Sequence, residues 1–412
     1  MLPNPQYSLL DEIIYLLNAI IGVITLLLKR VYMSRIIAWQ IRAHDFTVWY
    51  IYTLIMFRNG LSFLLFFCGF YNAAAQDNTP KYANEFLNLG VGARSFGMAN
   101  TQVGIVKDAT AGYWNPAGLT QIKEKYQFSL MHAELFSGIS KYDYLGFGMQ
   151  LDSTSALGVT LIRFGIDDIP DTRFLYDANG ALNYSNIRFF SAADYALLIS
   201  YARKMSFLEG LSMAANFKIL YRSVGSFANA WGFGLDFGAM YQNKGWSIGL
   251  MLRDITGTFT AWNHNTDEVQ VIYTQTNNQI PETSLEVALP RIILGGGKRF
   301  VLKKNWGFLP SLDMIMTFDG NRNTLISSNT VSIEGVFGLE TDYKQIVFLR
   351  AGVGNVQDIK NFDGSTTKTA QPSFGLGVRI NQLNIDYALT DMANGSDALY
   401  SHIISINVRL DK

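Results

Sequence analysis

From residue 124 onward, apolar and polar positions alternate with a period of two. In WGFGLDFGAMY (231–241), Trp231, Phe233, Leu235, Phe237, Ala239 and Tyr241 fall on one face, and Gly232, Gly234, Asp236, Gly238 and Met240 on the other. Leu383, Ile385, Tyr387 and Leu389 oppose Asn384, Asp386, Ala388 and Thr390 in the same way, and Ile404 to Leu410 repeat it. Successive side chains of a strand point to opposite faces, so each stretch has one oily face and one polar or small face. Fourteen such segments can be marked: 124–137, 139–151, 155–165, 188–204, 209–225, 229–242, 245–260, 284–301, 305–319, 329–341, 344–356, 370–381, 382–391 and 399–411. Most reach the 9–11 residues of a tilted membrane strand, whereas sandwich strands run to about 5–6. The pattern predicts an all-β fold: a fourteen-stranded antiparallel transmembrane β-barrel.

The connections sort by parity. Links after even strands are short, as in NKG and NQ. Several links after odd strands are long: 166–187, 261–283, and those carrying NRNTLISSN, QDIKNFDGSTTKT and MANGSDAL. Outer-membrane barrels pair short periplasmic turns with longer extracellular loops. Aromatics near strand ends, such as Tyr142, Tyr221, Trp231, Trp246, Trp306 and Tyr343, suit interfacial girdles. In lipid a sheet must close on itself, and the last strand lies close enough to the C-terminus to pair with the first.

The N-terminal region reads in three parts. Residues 56–75 form a secretory signal peptide: Arg58, an apolar run from Leu61 to Phe70, and Ala73-Ala74-Ala75 before Gln76. Residues 1–55 then read as an upstream extension from an early start, although 13–28 (IIYLLNAIIGVITLLL) competes as a membrane helix. That run is 16 residues, short of the roughly 20 needed to span. Residues 76–123 follow without a strand of their own and read as a plug for the barrel formed by 124–412.

Composition narrows the chemistry. With 33 basic and 33 acidic residues, no nucleic-acid partner is expected. The single cysteine, Cys68, lies in the signal segment, and the four histidines are scattered, so no metal site or cofactor is expected. Asp167, Asp168 and Asp171 lack EF-hand spacing and read as a solvated loop rather than a calcium site. Gly295-Gly296-Gly297-Lys298 is followed by Arg299, so it marks a bend or close packing in a strand, not a phosphate loop. No acid/base pair or nucleophile triad stands out, and the chain reads as a non-enzyme. Lys218, Arg222, Asp236, Arg253, Asp313, Glu334, Arg350, Arg379, Asp386 and Arg409 fall on polar faces. They read as a mixed-sign interior that holds the plug, or alternatively as a polar conduit.

Within the plug, GYWNPAGL (112–119) is the oddest string. Asn115-Pro116 reads as a helix N-cap followed by Pro at the first helical position, with PAGLTQI as one short helical turn. Gly90, Gly92 and Gly97 allow tight packing against a wall. The stretch EFLNLGVGARSFGMANTQVGIVKDATAGYWNPAGL (85–119) resembles the N-terminal signature of the PorV/PorQ family of Bacteroidetes outer-membrane proteins, relatives of the FadL transporters. The match is carried by Gly90, Gly92, Ala93, Arg94, Gly97, Met98, Asp108, Ala109, Trp114, Asn115, Pro116, Ala117, Gly118 and Leu119; Ala99 departs from the family's usual Gly. The resemblance implies an outer-membrane component of the type IX secretion system. Such a protein binds cargo bearing C-terminal sorting domains, and the translocon and attachment proteins, through extracellular loops. Phe174, Leu175 and Tyr176 in the 166–187 loop are the expected contact, or they fold back over the barrel mouth. The wider FadL resemblance implies the alternative, passage of hydrophobic small molecules.

Overall fold

The computed structural model describes residues 83–410, leaving out 178, 276–283, 304, 329–330, 362 and 391–400. The signal, its upstream extension, residues 76–82 of the plug segment and the MANGSDAL loop from 391 lie outside the described residues.

Fourteen staves form one antiparallel sheet that closes. They are β1 (Tyr126–Leu135), β2 (Ser140–Gln150), β3 (Ser155–Asp171), β4 (Arg188–Lys204), β5 (Leu211–Val224) and β6 (Ala228–Asn243). β7 has two segments, Trp246–Arg253 and Thr258–His264; β8 has three, Ser284–Ala288, Arg291–Lys298 and Phe300–Leu302. The ring continues with β9 (Trp306–Thr317), β10 (Ser332–Tyr343), β11 (Val347–Lys360), β12 (Thr366–Ile380), β13 (Leu383–Thr390) and β14 (Ser401–Leu410). β1 pairs with β2 on one side and β14 on the other, from Tyr126 opposite Leu410 to Glu134 opposite His402, so the first and last staves close the ring.

Register sets what faces lipid. Ile406, Leu130, Leu145, Leu161, Leu197, Ile219 and Phe233 stand opposite one another across seven consecutive staves. They point outward: Leu130, Leu145 and Leu161 are 46%, 41% and 45% exposed. A continuous apolar belt around a closed sheet is stable in hydrocarbon and marks a membrane barrel of the outer-membrane type. Trp306 against Tyr343 and Tyr221 against Trp231, with ring centroids 5.0 and 4.9 Å apart, lie toward its two ends.

The short connections explain their own sequences. Lys244 and Gly245 both take positive φ between paired Asn243 and Trp246, a two-residue turn whose twist suits a hairpin. In the turn after β2, the hydroxyl and backbone N–H of Thr154 and the N–H of Ser155 all donate to Asp152. These bonds, chiefly from the Thr154 hydroxyl, hold the Asp152 carboxyl down at about 2.

Several expected boundaries move. β3 runs to Asp171, so the 166–187 loop begins inside the ladder, past a bulge between Ile166 and Ile169. β11 and β12 extend to Lys360 and from Thr366, which shortens the expected QDIKNFDGSTTKT loop. Both hairpins carry polar residues beyond the apolar belt, so the hydrophobic alternation stops where the backbone ladder does not. Segment 245–260 is broken at 254–257 and resumes to His264. Helix α3 (Thr266–Gln275) then stands where 261–283 reads as loop. Segment 284–301 is interrupted at Leu289-Pro290, where proline has no N–H to donate.

Candidate functional site

Residues 83–122 run through the lumen, from contacts near the long-loop end down to β1 at the other. Asn84 meets Thr260 of β7, and Thr120 meets Ser212 of β5. Helices α1 (Ala93–Phe96) and α2 (Ala111–Trp114) and two 3-10 turns, Glu85–Asn88 and Pro116–Gln121, are the regular elements of this segment. Its apolar side packs Phe86, Val91, Trp114 and Leu119 with Tyr142, Ile162, Leu198 and Leu220 of the β2–β5 wall.

The residues of the resembling motif hold this path. Asn115 is fully buried and makes three bonds: its Oδ1 accepts from Ala117 N–H (3.2 Å), and its Nδ2 donates to Val103 O (2.9 Å) and Ala239 O (3.0 Å). It therefore caps the 116–121 turn, closes the plug on itself and fastens it to β6. Trp114 Nε1 donates to Val91 O (3.0 Å), and Asp108 accepts from Thr110 N–H (2.9 Å) before α2. Gly90 and Gly92 take φ of 98° and 85°, which disfavour side chains. A Cβ on Gly118 would lie 2.6 Å from Val106 O.

Glycines also bring plug and wall into backbone contact. A Cβ on Gly104 would stand 2.6 Å from Gly295 O; on Gly97, 2.8 Å from Gly375 Cα; on Gly338, 2.7 Å from Met98 O; on Gly297, 2.7 Å from Ile105 Cγ2. Gly249 and Gly295 are register partners, as are Gly338 and Gly352. The triplet at 295–297 is thus close packing within a strand, and its neighbours form a glycine belt around the plug. Spaced glycines on inward positions were the available sequence signal.

Charge supplies the fastenings. Arg94 Nε and Arg350 Nε both lie 2.8 Å from Glu340, and Arg350 Nη1 lies 2.8 Å from Asp386, a buried chain linking plug to β10, β11 and β13. Arg253 donates to Leu87 O (3.2 Å) and Tyr113 O (3.1 Å); Asp313 accepts from the N–H groups of Gln102 and Val103 (2.8 and 2.9 Å). Glu340 and Tyr113 escape a reading of the sequence. Not every expected lining charge touches the plug. Lys218 pairs with Asp236 (2.7 Å) and Asp254, stitching the β7 break, and Arg222 pairs with Asp194 and Glu286. Arg379 and Arg409 share Asn384, in the last rungs before the β12–β13 turn.

Above the glycine belt, toward the long loops, a cavity of about 420 Å³ remains between the plug and the β7–β13 wall. Phe96, Ala99, Val103 and Trp114 line it from the plug; Arg253, Arg291, Ile293, Asp313, Ile315 and Glu334 line it from the wall. Beside it the wall ladder has a seam. β10 and β11 pair only from Tyr343–Val347 up to Phe337–Val353. Above that, Ile326 and Ser327 pair with Ile333 and Ser332 of β10, and Asn323 exchanges two 2.9 Å bonds with the backbone of Asp358. A loop segment thus fills the place of the ladder, tied to the plug through Arg322 and Glu85 (3.0 Å).

At the rim, Phe174 and Tyr176 are 43% and 64% exposed, while Leu175 is half-buried. Arg188 stacks on Phe174 (4.4 Å), and Arg173 bonds Asp171 and the carbonyl of Glu268, so the loop leans on helix α3.

Comparison with solved structures finds distant likenesses. The chain is similar to the toluene transporter TbuX of Ralstonia pickettii (13% identity, 78% of this chain and 98% of that one, TM-score 0.47). It is similar also to the CymD monoaromatic hydrocarbon channel (15%, 79% and 98%, 0.48) and a Pseudomonas aeruginosa FadL homologue (12%, 78% and 98%, 0.46). No family model and no curated protein matches the chain.

Proposed function

We propose that this barrel transfers small amphipathic molecules between its lumen and the surrounding lipid, a FadL-like role. The observation carrying the reading is the cavity lying directly beside the β10–β11 seam. The segment closing that seam is held by the Ile326–Ser327 bridge, the Asn323–Asp358 exchange, the Ser332 hydroxyl between Arg322 N–H and Gly320 O, and the Arg322–Glu85 pair. It can withdraw without breaking the barrel's own ladder, at a net cost of about 0.5–1.5 kcal/mol per hydrogen bond. The break in β7 is a poorer exit, because Lys218, Asp236 and Asp254 stitch it with buried ion pairs.

The test is a reversible lock. Cysteines replacing Asn323 and Asp358, on a Cys68→Ser background, are oxidised in proteoliposomes, and uptake of a fluorescent alkyl-chain probe is followed. Uptake that stops on oxidation and returns with reductant supports the reading. Equal uptake in locked and reduced protein overturns it.

A second reading, binding of sorting-domain cargo and the type IX translocon, is favoured by the rim hairpin, where Phe174, Tyr176, Leu182 and Tyr184 are exposed together. Detergent pull-down with the native chain and Phe174→Ser/Tyr176→Ser separates the two. Loss of captured translocon in the variant supports protein binding; no capture by either removes it.

A further inference from the structure

The charges around the cavity are balanced and partly unspent. Its lining carries three arginines, Arg253, Arg291 and Arg322, and three acids, Glu85, Asp313 and Glu334. Four are already used: Arg253 and Asp313 hold plug backbone, and Arg322 pairs with Glu85 and Asp319. Arg291 and Glu334 differ. Among the described residues neither makes a contact ion pair, although Asp254 and Glu85 act on Arg291 across the gap, as Arg322 does on Glu334. Glu334 accepts a bond from the Asn355 backbone.

Their placement follows from register. Arg291 is opposite Thr317 on β9, and Ile315, two residues away, is opposite Glu334 on β10. Two strand spacings and one two-residue step put their Cα atoms about 12 Å apart. Both side chains are long and enter the same cavity, yet they do not meet. A cation and an anion held apart on two walls of one cavity favour a guest carrying both charges. A purely anionic head would satisfy Arg291 but crowd Glu334. Thr317 and Ile315 of β9 lie between them, with Ile293 beside Ile315, and Leu325 and Ile326, 52% and 57% exposed, mark the seam.

Building on the lateral-transfer reading, we infer that the cavity receives a zwitterionic head group: Arg291 takes its phosphate or carboxylate, Glu334 its ammonium, and an alkyl tail extends through the β10–β11 seam. The class is a zwitterionic amphiphile, as distinct from a hydrocarbon or a fatty acid.

Calorimetry on the purified barrel in a non-ionic detergent tests this with lysophosphatidylethanolamine, lysophosphatidylglycerol and soluble glycerophosphoethanolamine. The zwitterionic lysolipid is expected to bind at least tenfold tighter than the anionic one. Arg291→Gln and Glu334→Gln should each cost it tenfold or more, and Glu334→Gln should leave the anionic lipid unchanged or improved. Weaker binding of the soluble head shows that the tail contributes; equal binding shows a free-solute site and overturns the tail's path. Equal affinity for both lysolipids, or indifference to Glu334→Gln, overturns the zwitterion assignment. Heat-modifiable gel mobility checks that each variant is folded. The lock experiment reads passage whatever the head group, so failure there and failure here are distinguishable.

Discussion

Asn115→Ala probes the plug at the residue that does most to hold it. The side chain is fully buried and makes one bond to its own turn, one across the plug to Val103 and one to the wall at Ala239. Truncation removes three bonds of about 0.5–1.5 kcal/mol net each and orphans two carbonyls and an N–H, whose desolvation costs about 1–3 kcal/mol apiece if nothing replaces the partner. Water entering the vacated space offsets part of this, leaving a loss of about 3 kcal/mol. Local opening of the plug should then become more frequent by on the order of a hundredfold, since about 1.4 kcal/mol is a factor of ten. Hydrogen exchange read at the amides of Val106, Asn115 and Gly118, each bonded within the plug, reports it directly. The barrel ladder, which does not use Asn115 as a strand partner, should exchange at its native rate. Asn115→Asp is the matched control: it keeps the cap acceptor, loses both donated bonds and sets a carboxylate against two carbonyls, so it should be no milder. Plug amides accelerated less than about threefold, or accelerated equally in strands β2–β5, would refute this account of the seating.

Three more tests address other fastenings. Glu340→Ala strands Arg94 and Arg350 without their shared carboxylate; breaking a buried pair of this kind costs about 3–5 kcal/mol. Transient current steps in planar bilayers should be more frequent than for the native protein, and indistinguishable traces would rule the latch out. Gly104→Ala places a methyl 2.6 Å from Gly295 O between two backbones, overpacking that should destabilise the seated plug by about 1–3 kcal/mol. Limited proteolysis should cut within 99–110 in the variant, and unchanged resistance would contradict it. Leu145→Arg, in the outward leucine row, should cost about 2–4 kcal/mol of folding into vesicles if it lies near the bilayer midplane, and a normal folding midpoint would deny the belt.

The barrel itself was legible because its physics is local. A strand in a closed membrane sheet must present apolar and polar positions in strict alternation, and the pattern in 231–241 or 383–390 is that requirement written residue by residue. The Asn115 cap was legible for the same reason, since an Asx-Pro start satisfies a helix terminus within three residues. Breaks were not. Asp254 to Gly257 interrupt β7 because Asp254 turns to meet Lys218 and Thr258, a contact 36 residues distant in one direction that no periodicity announces.

What the chain by itself determined, then, is an even ring of staves, which face of each is greasy, and which connections are short. Where the front segment lies, which glycines its backbone touches, that Glu340 rather than the expected charges clasps Arg94, and that one stretch of wall is filled by a loop were decided only by the folded barrel. The difference is one of range: alternation and turns satisfy backbone and solvent over a few residues, whereas seating a plug pairs groups more than two hundred residues apart, such as Arg94 with Glu340, whose partnership exists only after the sheet has closed around them.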